Sequence, residues 1–168
     1  MIRIITICFF LQTTYAFSQS NSADSSSTQL SDNFAVESRY DSLLTYAKQY
    51  IGIKYKYQGT TKNGFDCSGF VQHVFAHYNK KLPHASTAQA LIGEEIQLKN
   101  LQKGDLVFFK GRSLKSKKVG HVGIVMEANN GHFKMIHASV HKGVTIDYFP
   151  EGEYYKKRYL TARRISFE

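Results

Sequence analysis

The sequence contains the stretch Asn63-Gly-Phe-Asp-Cys-Ser-Gly-Phe-Val-Gln72, in which a turn-forming pair is closely followed by a helix signal. Asn63 and Gly64 favour a break in regular backbone, and Cys67 then opens a run of apolar residues at helical spacing. The run predicts a helix over residues 67–78 with Cys67 in its first turn. Unpaired backbone N–H groups and the helix dipole favour a thiolate there, so Cys67 is predicted to be a nucleophile.

Cys67 also has a structural interpretation, because free cysteine is among the residue types most often buried without any reactivity. The sequence holds 2 cysteines, and the other, Cys8, lies in an apolar N-terminal segment. If that segment is removed, Cys67 is left unpaired in an oxidising compartment, where a free thiol needs a reason. A lipoprotein would have a small residue before Cys8, and Ile7 stands there, so no stable membrane anchor is expected.

The first residues have the pattern of a secretory signal peptide. Arg3 precedes the apolar run Ile4–Leu11, which is too short to span a bilayer, and Ala16 and Ser18 are small residues that fit a cleavage site. We therefore expect residues 1–18 to be a signal peptide, cleaved near Ser18 or after Ala16. The mature protein is then secreted, periplasmic or part of the cell envelope.

The remaining sequence predicts a tether followed by one domain. Residues 19–38 are rich in Ser, Asn and Asp, which predicts a flexible Ser-rich tether, and residues 39–168 are predicted to form the domain. Asp41 is expected to cap its first helix and Ser86 a later short one. Turn-rich segments separate five strand-like runs, which are residues 104–109, 120–126, 132–137, 144–148 and 160–165. Helices first and an antiparallel meander second predict an α+β domain.

The charge of the chain is basic, at +9 for 168 residues, and the excess is concentrated between Lys99 and Lys118. Such a segment suits anionic wall polymers or lipid head groups, and a solvated lysine loop fits it equally well. Nucleic acid is not an expected partner, because no nucleic-acid-binding motif is present and the leader directs the protein away from nucleic acid.

The segment Asn129-Asn130-Gly131 predicts a hairpin between two strand-like runs. A three-residue loop that ends at Gly131 places His121 opposite Ser139. His137 then lies diagonally from His121 on the same sheet face, within reach of its side chain. A two-residue loop would instead place the two histidines on opposite faces.

Two histidines on one face, together with a cysteine at a helix start, suggest nucleophilic catalysis. One imidazole takes the thiol proton and the other orients it. His121 suits the first role, because an apolar strand has little use for a polar ring, and Gly123 leaves space on that face. No role is assigned to the other histidines, which are His73, His77, His84, His132 and His141. His73 and His77 stand one helical turn apart but lack a third ligand, so no metal or other cofactor is expected.

Five blocks of the sequence resemble the successive motifs of the NlpC family of papain-like bacterial cell-wall peptidases. They are Asp66–Phe70, Leu82-Pro83, Gly104–Phe109, His121–Ile124 and Ile136–Ala138. The resemblance extends over residues 40–165, and the joint order and spacing of the blocks make it specific. It implies a truncated papain-like fold, in which N-terminal helices pack on an antiparallel β-sheet and the nucleophile begins a helix.

The resemblance also implies roles for particular residues. Cys67 matches the nucleophile, His121 the base and His137 the third polar residue of the family. Tyr55 matches the family tyrosine near the oxyanion site, where the Cys67 backbone N–H is the natural second donor.

Asp66 and Ser68 match family positions that flank the nucleophile and shape the substrate cleft. Asp66 can pair with a cationic amine, and Ser68 can donate or accept a hydrogen bond. In the alternative interpretation Asp66 merely caps the helix, a position at which Asp is strongly favoured. The chain departs from the family at Lys54, where a proline is common, and at Thr60, where a second glycine often follows Gly59.

The resemblance implies a thiol protease that cleaves peptidoglycan stem peptides, typically between D-glutamate, through its γ-carboxyl, and a diamino acid. We expect a monomeric hydrolase whose partners are stem peptides or muropeptides. One alternative is an amidase or acyltransferase on the same fold, and another is a non-catalytic cell-wall-binding domain. The presence of Cys67, His121 and His137 argues against the last, since a binding domain is free to lose any of them.

Overall fold

The computed structural model describes residues 24–150 and 152–167. The helices are Asp24–Lys48 (α1), Cys67–His77 (α2), Ser86–Gln89 (α3) and Gly152–Lys156 (α4). The strands are Thr60–Thr61 (β1), Gly64–Phe65 (β2), Glu94–Ile96 (β3), Leu106–Lys110 (β4), Val119–Asn129 (β5), His132–Ser139 (β6), Gly143–Phe149 (β7) and Tyr159–Arg164 (β8). A six-stranded antiparallel sheet has the order β3-β8-β4-β5-β6-β7, and β1 pairs with β2.

Apolar residues cover both faces of the sheet. Leu106 and Phe108 pack into a core that includes α1 and α2, whereas Val107 and Phe109 pack into a second core. Successive side chains of a strand point to opposite faces, so burial of both faces explains why β4 is apolar from Leu106 to Phe109. The residues of α2 that enter the first core are Cys67, Phe70, Val71, Val74 and Phe75.

Two predicted helix caps are wrong. Asp41 lies inside α1, and its carboxylate pairs with Lys103 at 2.8 Å. Ser86 is the first residue of α3, which follows Ala85 without any side-chain capping bond. Both residue types are common helix caps, but α1 already begins at Asp24, and the residue before α3 is Ala85.

The start of α1 also differs from the prediction. The helix begins at Asp24, so residues 24–38 of the predicted tether are helical. Its apolar stripe within Leu43–Ala47 is buried and fixes the helix in place. Each residue added to an existing helix gains one backbone hydrogen bond, which allows the helix to extend through a polar segment.

Some predictions fall outside the described residues. The predicted signal peptide, residues 1–18, and residues 19–23 of the predicted tether are among them. Within residues 24–150 and 152–167, no helix has both the length and the apolar character needed to cross a bilayer.

The loop between β5 and β6 is shorter than predicted. Asn129 pairs with His132, so the loop consists of two residues, Asn130 and Gly131. Their φ angles are 45° and 83°, as in a type I′ turn. This turn is favoured in hairpins because its backbone twist matches that of the two strands.

A β-bulge in β5 compensates for the shorter loop. The pairing register with β6 shifts by one residue between Val125 and Glu127. A shift of one residue moves the rest of the strand to the opposite face. His121 and His137 therefore lie on one face, although a regular two-residue hairpin would have separated them.

Candidate active site

The N-terminal end of α2 is held by the residue before it. Asp66 has extended backbone, and its Oδ1 accepts the Gly69 backbone N–H at 2.6 Å and the Ser68 hydroxyl at 3.0 Å. The Asp66 backbone N–H in turn donates to the Gly59 carbonyl at 2.9 Å. The carboxylate is therefore a helix cap. Cys67 is the first helical residue, at the predicted position.

The Cys67 thiol is harder to ionise than the sequence predicts. Burial, followed by the Asp66 carboxylate, raises the pKa of the thiol to about 11, although the backbone N–H groups of Val122, Ser68 and Cys67 oppose this. Desolvation of the charged form outweighs the helix terminus. The prediction of a favoured thiolate is therefore wrong, and ionisation needs a neighbouring base. Val122 directly follows His121, so this contact brings the sulfur to the strand of the predicted base.

Two histidines form a hydrogen-bonded pair on β5 and β6. His121 Nε2 lies 2.8 Å from His137 Nδ1, and the two rings are nearly perpendicular, at 86°. Burial, followed by proximity to His137, lowers the pKa of His121 to about 3. His121 is therefore neutral at pH 7, and a neutral imidazole is able to accept a proton.

The other side of His137 contacts a carboxylate to which the sequence analysis assigned no role. His137 Nε2 lies 3.1 Å from Asp147 Oδ2. The Tyr155 hydroxyl donates to the same oxygen at 2.9 Å, and Lys142 Nζ donates to Oδ1 at 2.9 Å. Hydrogen bonds from His137, Lys142 and Tyr155 hold the pKa of Asp147 well below its usual range. Asp147 pairs with Met135 and therefore lies diagonally from His137 on the same sheet face. This strand position was the feature of the sequence that could have identified Asp147 as a partner of His137.

Tyr55 lies in the segment before β1, where an isolated bridge joins it to Phe65. Burial, followed by proximity to Cys67 and Asp66, raises the pKa of Tyr55. Its hydroxyl is consequently protonated at neutral pH and is able to donate a hydrogen bond. The structure thus brings Tyr55 close to the nucleophile candidate and its capping residue.

His84 also belongs to this group, although the sequence analysis assigned it no role. His84 Nε2 lies 2.9 Å from Asp66 Oδ2, and the His84 side chain is 27% exposed. Gln89 Nε2 donates to the carbonyls of Pro83 at 2.8 Å and Ser68 at 3.0 Å. These bonds hold the segment that contains His84 against Ser68 at the start of α2. The His84–Asp66 contact thus depends on packing between segments that are distant in sequence.

The family of the chain follows from its sequence around this site. A profile of the NlpC/P60 family matches residues 52–164, a range that is most of the chain and includes all of the site residues above. This chain belongs to the NlpC/P60 family. The resemblance to NlpC peptidases that the five sequence blocks indicated is thereby confirmed.

Two relatives of this NlpC/P60 chain are named for the bonds that they cleave. It is 37% identical over 134 residues to the murein DD-endopeptidase and murein LD-carboxypeptidase MepS of Escherichia coli, over 79% of this chain and 65% of that protein. It is 34% identical over 125 residues to the γ-DL-glutamyl hydrolase of Bacillus subtilis, over 74% of this chain and 29% of that protein. The chain therefore spans less than two thirds of the length of either relative.

A solved structure supports the fold of this NlpC/P60 domain. The crystal structure of an NlpC/P60 family protein from Bacillus cereus matches with a TM-score of 0.66 at 32% identity, over 74% of this chain and 39% of that one. The predicted α+β fold of the papain-like NlpC type is confirmed by this match.

The second histidine pair of the NlpC/P60 domain, His73 and His77, lies in an aromatic cluster. His73 Nε2 is 3.0 Å from the Tyr50 hydroxyl, and the His77 ring stacks on Tyr46 with 3.8 Å between centroids. Among the residues that the structure describes, no group of three or more His, Cys, Asp or Glu side chains is arranged to hold a metal ion. The two rings take part in packing between α1 and α2.

Proposed function

We propose that this chain is a cysteine peptidase that hydrolyses peptidoglycan stem peptides. Cys67 is the nucleophile, His121 the base, and His137 the residue that orients the base. The main observation in support of this proposal is the hydrogen bond of 2.8 Å between His121 and His137. The residue after His121, Val122, contacts the Cys67 sulfur through its backbone N–H. The neutral ring of His121 has a nitrogen free of protons, to which the Cys67 thiol proton passes as the sulfur attacks a carbonyl.

The reaction proceeds through a thioester. The Cys67 thiol proton passes to His121 while the sulfur bonds to the carbonyl carbon of the scissile amide. The Cys67 backbone N–H and the Tyr55 hydroxyl stabilise the oxygen of the tetrahedral intermediate. His121 then gives its proton to the leaving amine. Water, deprotonated by His121, hydrolyses the thioester, which releases a carboxylic acid and regenerates the thiol.

The proposed substrate bond joins the γ-carboxyl of D-glutamate to a diamino acid. The relative named a γ-DL-glutamyl hydrolase supports this choice. The relative named a murein DD-endopeptidase makes a D,D-peptide bond the second candidate. Both bonds are amides in a branched, charged peptide. The chemistry at Cys67 is therefore the same for either bond, and the cleft decides between them.

Digestion of purified muropeptides, followed by mass spectrometry of the new termini, tests the proposal. Cleavage at D-glutamate yields a new N-terminal diamino acid, whereas D,D cleavage leaves D-glutamate joined to the diamino acid. A preparation carrying Cys67→Ala controls for contaminating hydrolases. Binding to peptidoglycan without any new terminus would favour a wall-binding domain. Turnover of a different amide or a lipid ester, with intact stem peptides, would favour an amidase or acyltransferase.

We also propose that the protein works in the cell envelope as a monomer. Relatives named for murein support a substrate in the envelope. The leader predicted at residues 1–18 supports export. Cell fractionation tests the location, and light scattering of the purified protein tests the oligomeric state.

Replacement of Asp66 by asparagine separates its charge from its capping role. Asn retains an oxygen for the Gly69 N–H, so we expect Asp66→Asn to change the free energy of unfolding by less than about 1 kcal/mol, whereas Asp66→Ala costs about 1–2 kcal/mol. Because the carboxylate raises the pKa of Cys67, its neutralisation lowers that pKa. Alkylation by iodoacetamide at mildly alkaline pH is then expected to accelerate about threefold.

Turnover by the Asp66→Asn variant tests whether this carboxylate binds substrate. If it pairs with a cationic amine of the stem peptide, kcat/KM for muropeptides falls about tenfold even though the thiol ionises more easily. Urea unfolding and steady-state kinetics on the same preparations provide the two measurements. Unchanged kcat/KM would leave Asp66 as a helix cap only.

A further inference from the structure

A hydrogen-bond network lies behind the histidine pair, runs from the buried His137 to the exposed Lys142, and joins three elements of the fold. His137 on β6 is 1% exposed, and its Nε2 lies 3.1 Å from Asp147 Oδ2 on β7. Tyr155 on α4 donates to the same carboxylate oxygen at 2.9 Å. Lys142 Nζ bonds the second oxygen at 2.9 Å. Asp147 thus receives hydrogen bonds from three side chains, and its carboxylate is fixed in position.

This network determines the direction of the hydrogen bonds in the histidine pair. An ionised carboxylate only accepts, so His137 Nε2 carries the proton in its bond to Asp147. When each ring holds one proton, His137 Nδ1 is then an acceptor, and His121 Nε2 must donate to it across 2.8 Å. His121 Nδ1 is left without a proton. This is the ring nitrogen that remains to accept the Cys67 proton.

We propose that Asp147, fixed by Tyr155 and Lys142, is a positioning residue that sets the tautomers of His137 and His121 and leaves His121 Nδ1 as the base. The inference rests on the proposed function, in which His121 deprotonates Cys67. It adds residues that act through the histidine pair to those of the proposed mechanism. Without the carboxylate, both rings are equally able to carry their proton on Nδ1 instead of Nε2. His121 Nδ1 would then be a donor and could not accept the thiol proton.

The Asp147→Asn variant tests the inference kinetically. The amide has the shape of the carboxylate, and the Lys142 ammonium group favours the amide oxygen on its own side. The NH₂ group then faces His137 Nε2, which reverses both tautomers. We expect kcat for muropeptides to fall roughly 10- to 100-fold with KM nearly unchanged. Tyr155→Phe removes one donor to Asp147 and is expected to lower kcat by about threefold. Glu127→Gln, which neutralises an exposed carboxylate paired with Lys134 on the same sheet, is the matched control and is expected to leave kcat unchanged.

The tautomers themselves are measured by ¹⁵N NMR of the imidazole rings, a signal that a merely structural role of Asp147 would not change. We expect the Nε2–H form for both rings in the unmodified protein and the Nδ1–H form for both in the Asp147→Asn variant. Nδ1–H rings in the unmodified protein would overturn the inference, even if the variant does not fold. Equal kcat for the unmodified protein and a folded Asp147→Asn variant would overturn it as well.

The NMR measurement needs no substrate, which keeps this inference separate from the proposed function. If the unmodified protein cleaves no muropeptide, the proposed function is wrong, and the tautomers still decide the role of Asp147. If it cleaves muropeptides and the Asp147→Asn variant does so equally fast, the function stands and the positioning role is wrong.

Discussion

Replacement of Cys67 by alanine is expected to abolish muropeptide hydrolysis and leave the fold intact. The nucleophile is lost, so kcat falls by at least about 10⁴-fold. The cost in unfolding free energy is small, about 1 kcal/mol, because only one buried sulfur is removed. Cys67→Ser is expected to be equally inactive, since a hydroxyl is far harder to deprotonate than a thiol. Mass spectrometry of digested muropeptides measures activity, and urea unfolding measures stability.

Chemical inhibitors provide an independent check on Cys67. Iodoacetamide is expected to inactivate the protein by alkylating Cys67, the one cysteine among the residues that the structure describes. EDTA is expected to have no effect. Inhibition by EDTA that zinc reverses would replace the cysteine mechanism with a metal mechanism. Full activity of the Cys67→Ala variant would end the cysteine-peptidase interpretation altogether.

Replacement of His121 by alanine is expected to cost nearly as much as loss of the nucleophile. With a pKa of about 11 for the thiol, only about one molecule in 10⁴ has an ionised Cys67 at pH 7. Without His121 no neighbouring base takes the proton, so we expect kcat/KM to fall about 10³- to 10⁴-fold. Steady-state kinetics on a defined muropeptide measures the loss.

The pH dependence of the His121→Ala variant gives a test with a definite sign. The thiolate fraction of Cys67 rises about tenfold per pH unit up to its pKa of about 11. Residual activity and the rate of alkylation are therefore expected to rise with pH in parallel. In the unmodified protein the pKa of His121 is lowered to about 3, so activity persists in mildly acidic solution. Activity of the variant equal to that of the unmodified protein would contradict the assignment of His121 as the base.

Loss of His137 is expected to be less severe than loss of His121. Orienting a base contributes less than being one, so His137→Ala retains partial activity, about 10- to 100-fold below the unmodified protein. His132→Ala is the control, because this histidine lies exposed on the same strand, β6. Comparable losses for His137→Ala and His132→Ala would remove His137 from the catalytic group.

The sequence was a good guide wherever a feature depends on residues that are close together in the chain. Asp66 and Cys67 lie at the start of a helix because the turn, the cap and the apolar spacing are contiguous. The five predicted strands appear within a few residues of their expected bounds, since period and turn residues are local signals. Cys67 became a site candidate in this way, whereas pairing His121 with His137 needed a prediction of how two strands pair.

Some local predictions failed because the surrounding structure overrides the local signal. Asp41 has the chemistry of a cap, yet α1 already begins at Asp24, so Asp41 lies inside the helix and its carboxylate pairs with Lys103, 62 positions further along the chain. The shorter hairpin loop and the bulge before Glu127 cancel each other in register. The predicted placement of the two histidines on one face was therefore reached through the wrong loop.

The sequence by itself determined the family, the nucleophile helix and the succession of five strands along the chain, because these follow from patterns of neighbouring residues. The position of β8 between β3 and β4 in the sheet was decided by the tertiary structure. The tertiary structure decided the electrostatics of the site. Burial sets the high pKa of Cys67 and the low pKa of His121, and burial is a property of the packed fold. It also decided that Asp147 and His84 join the site, since their partners are distant in sequence and meet only when the sheet and loops are packed.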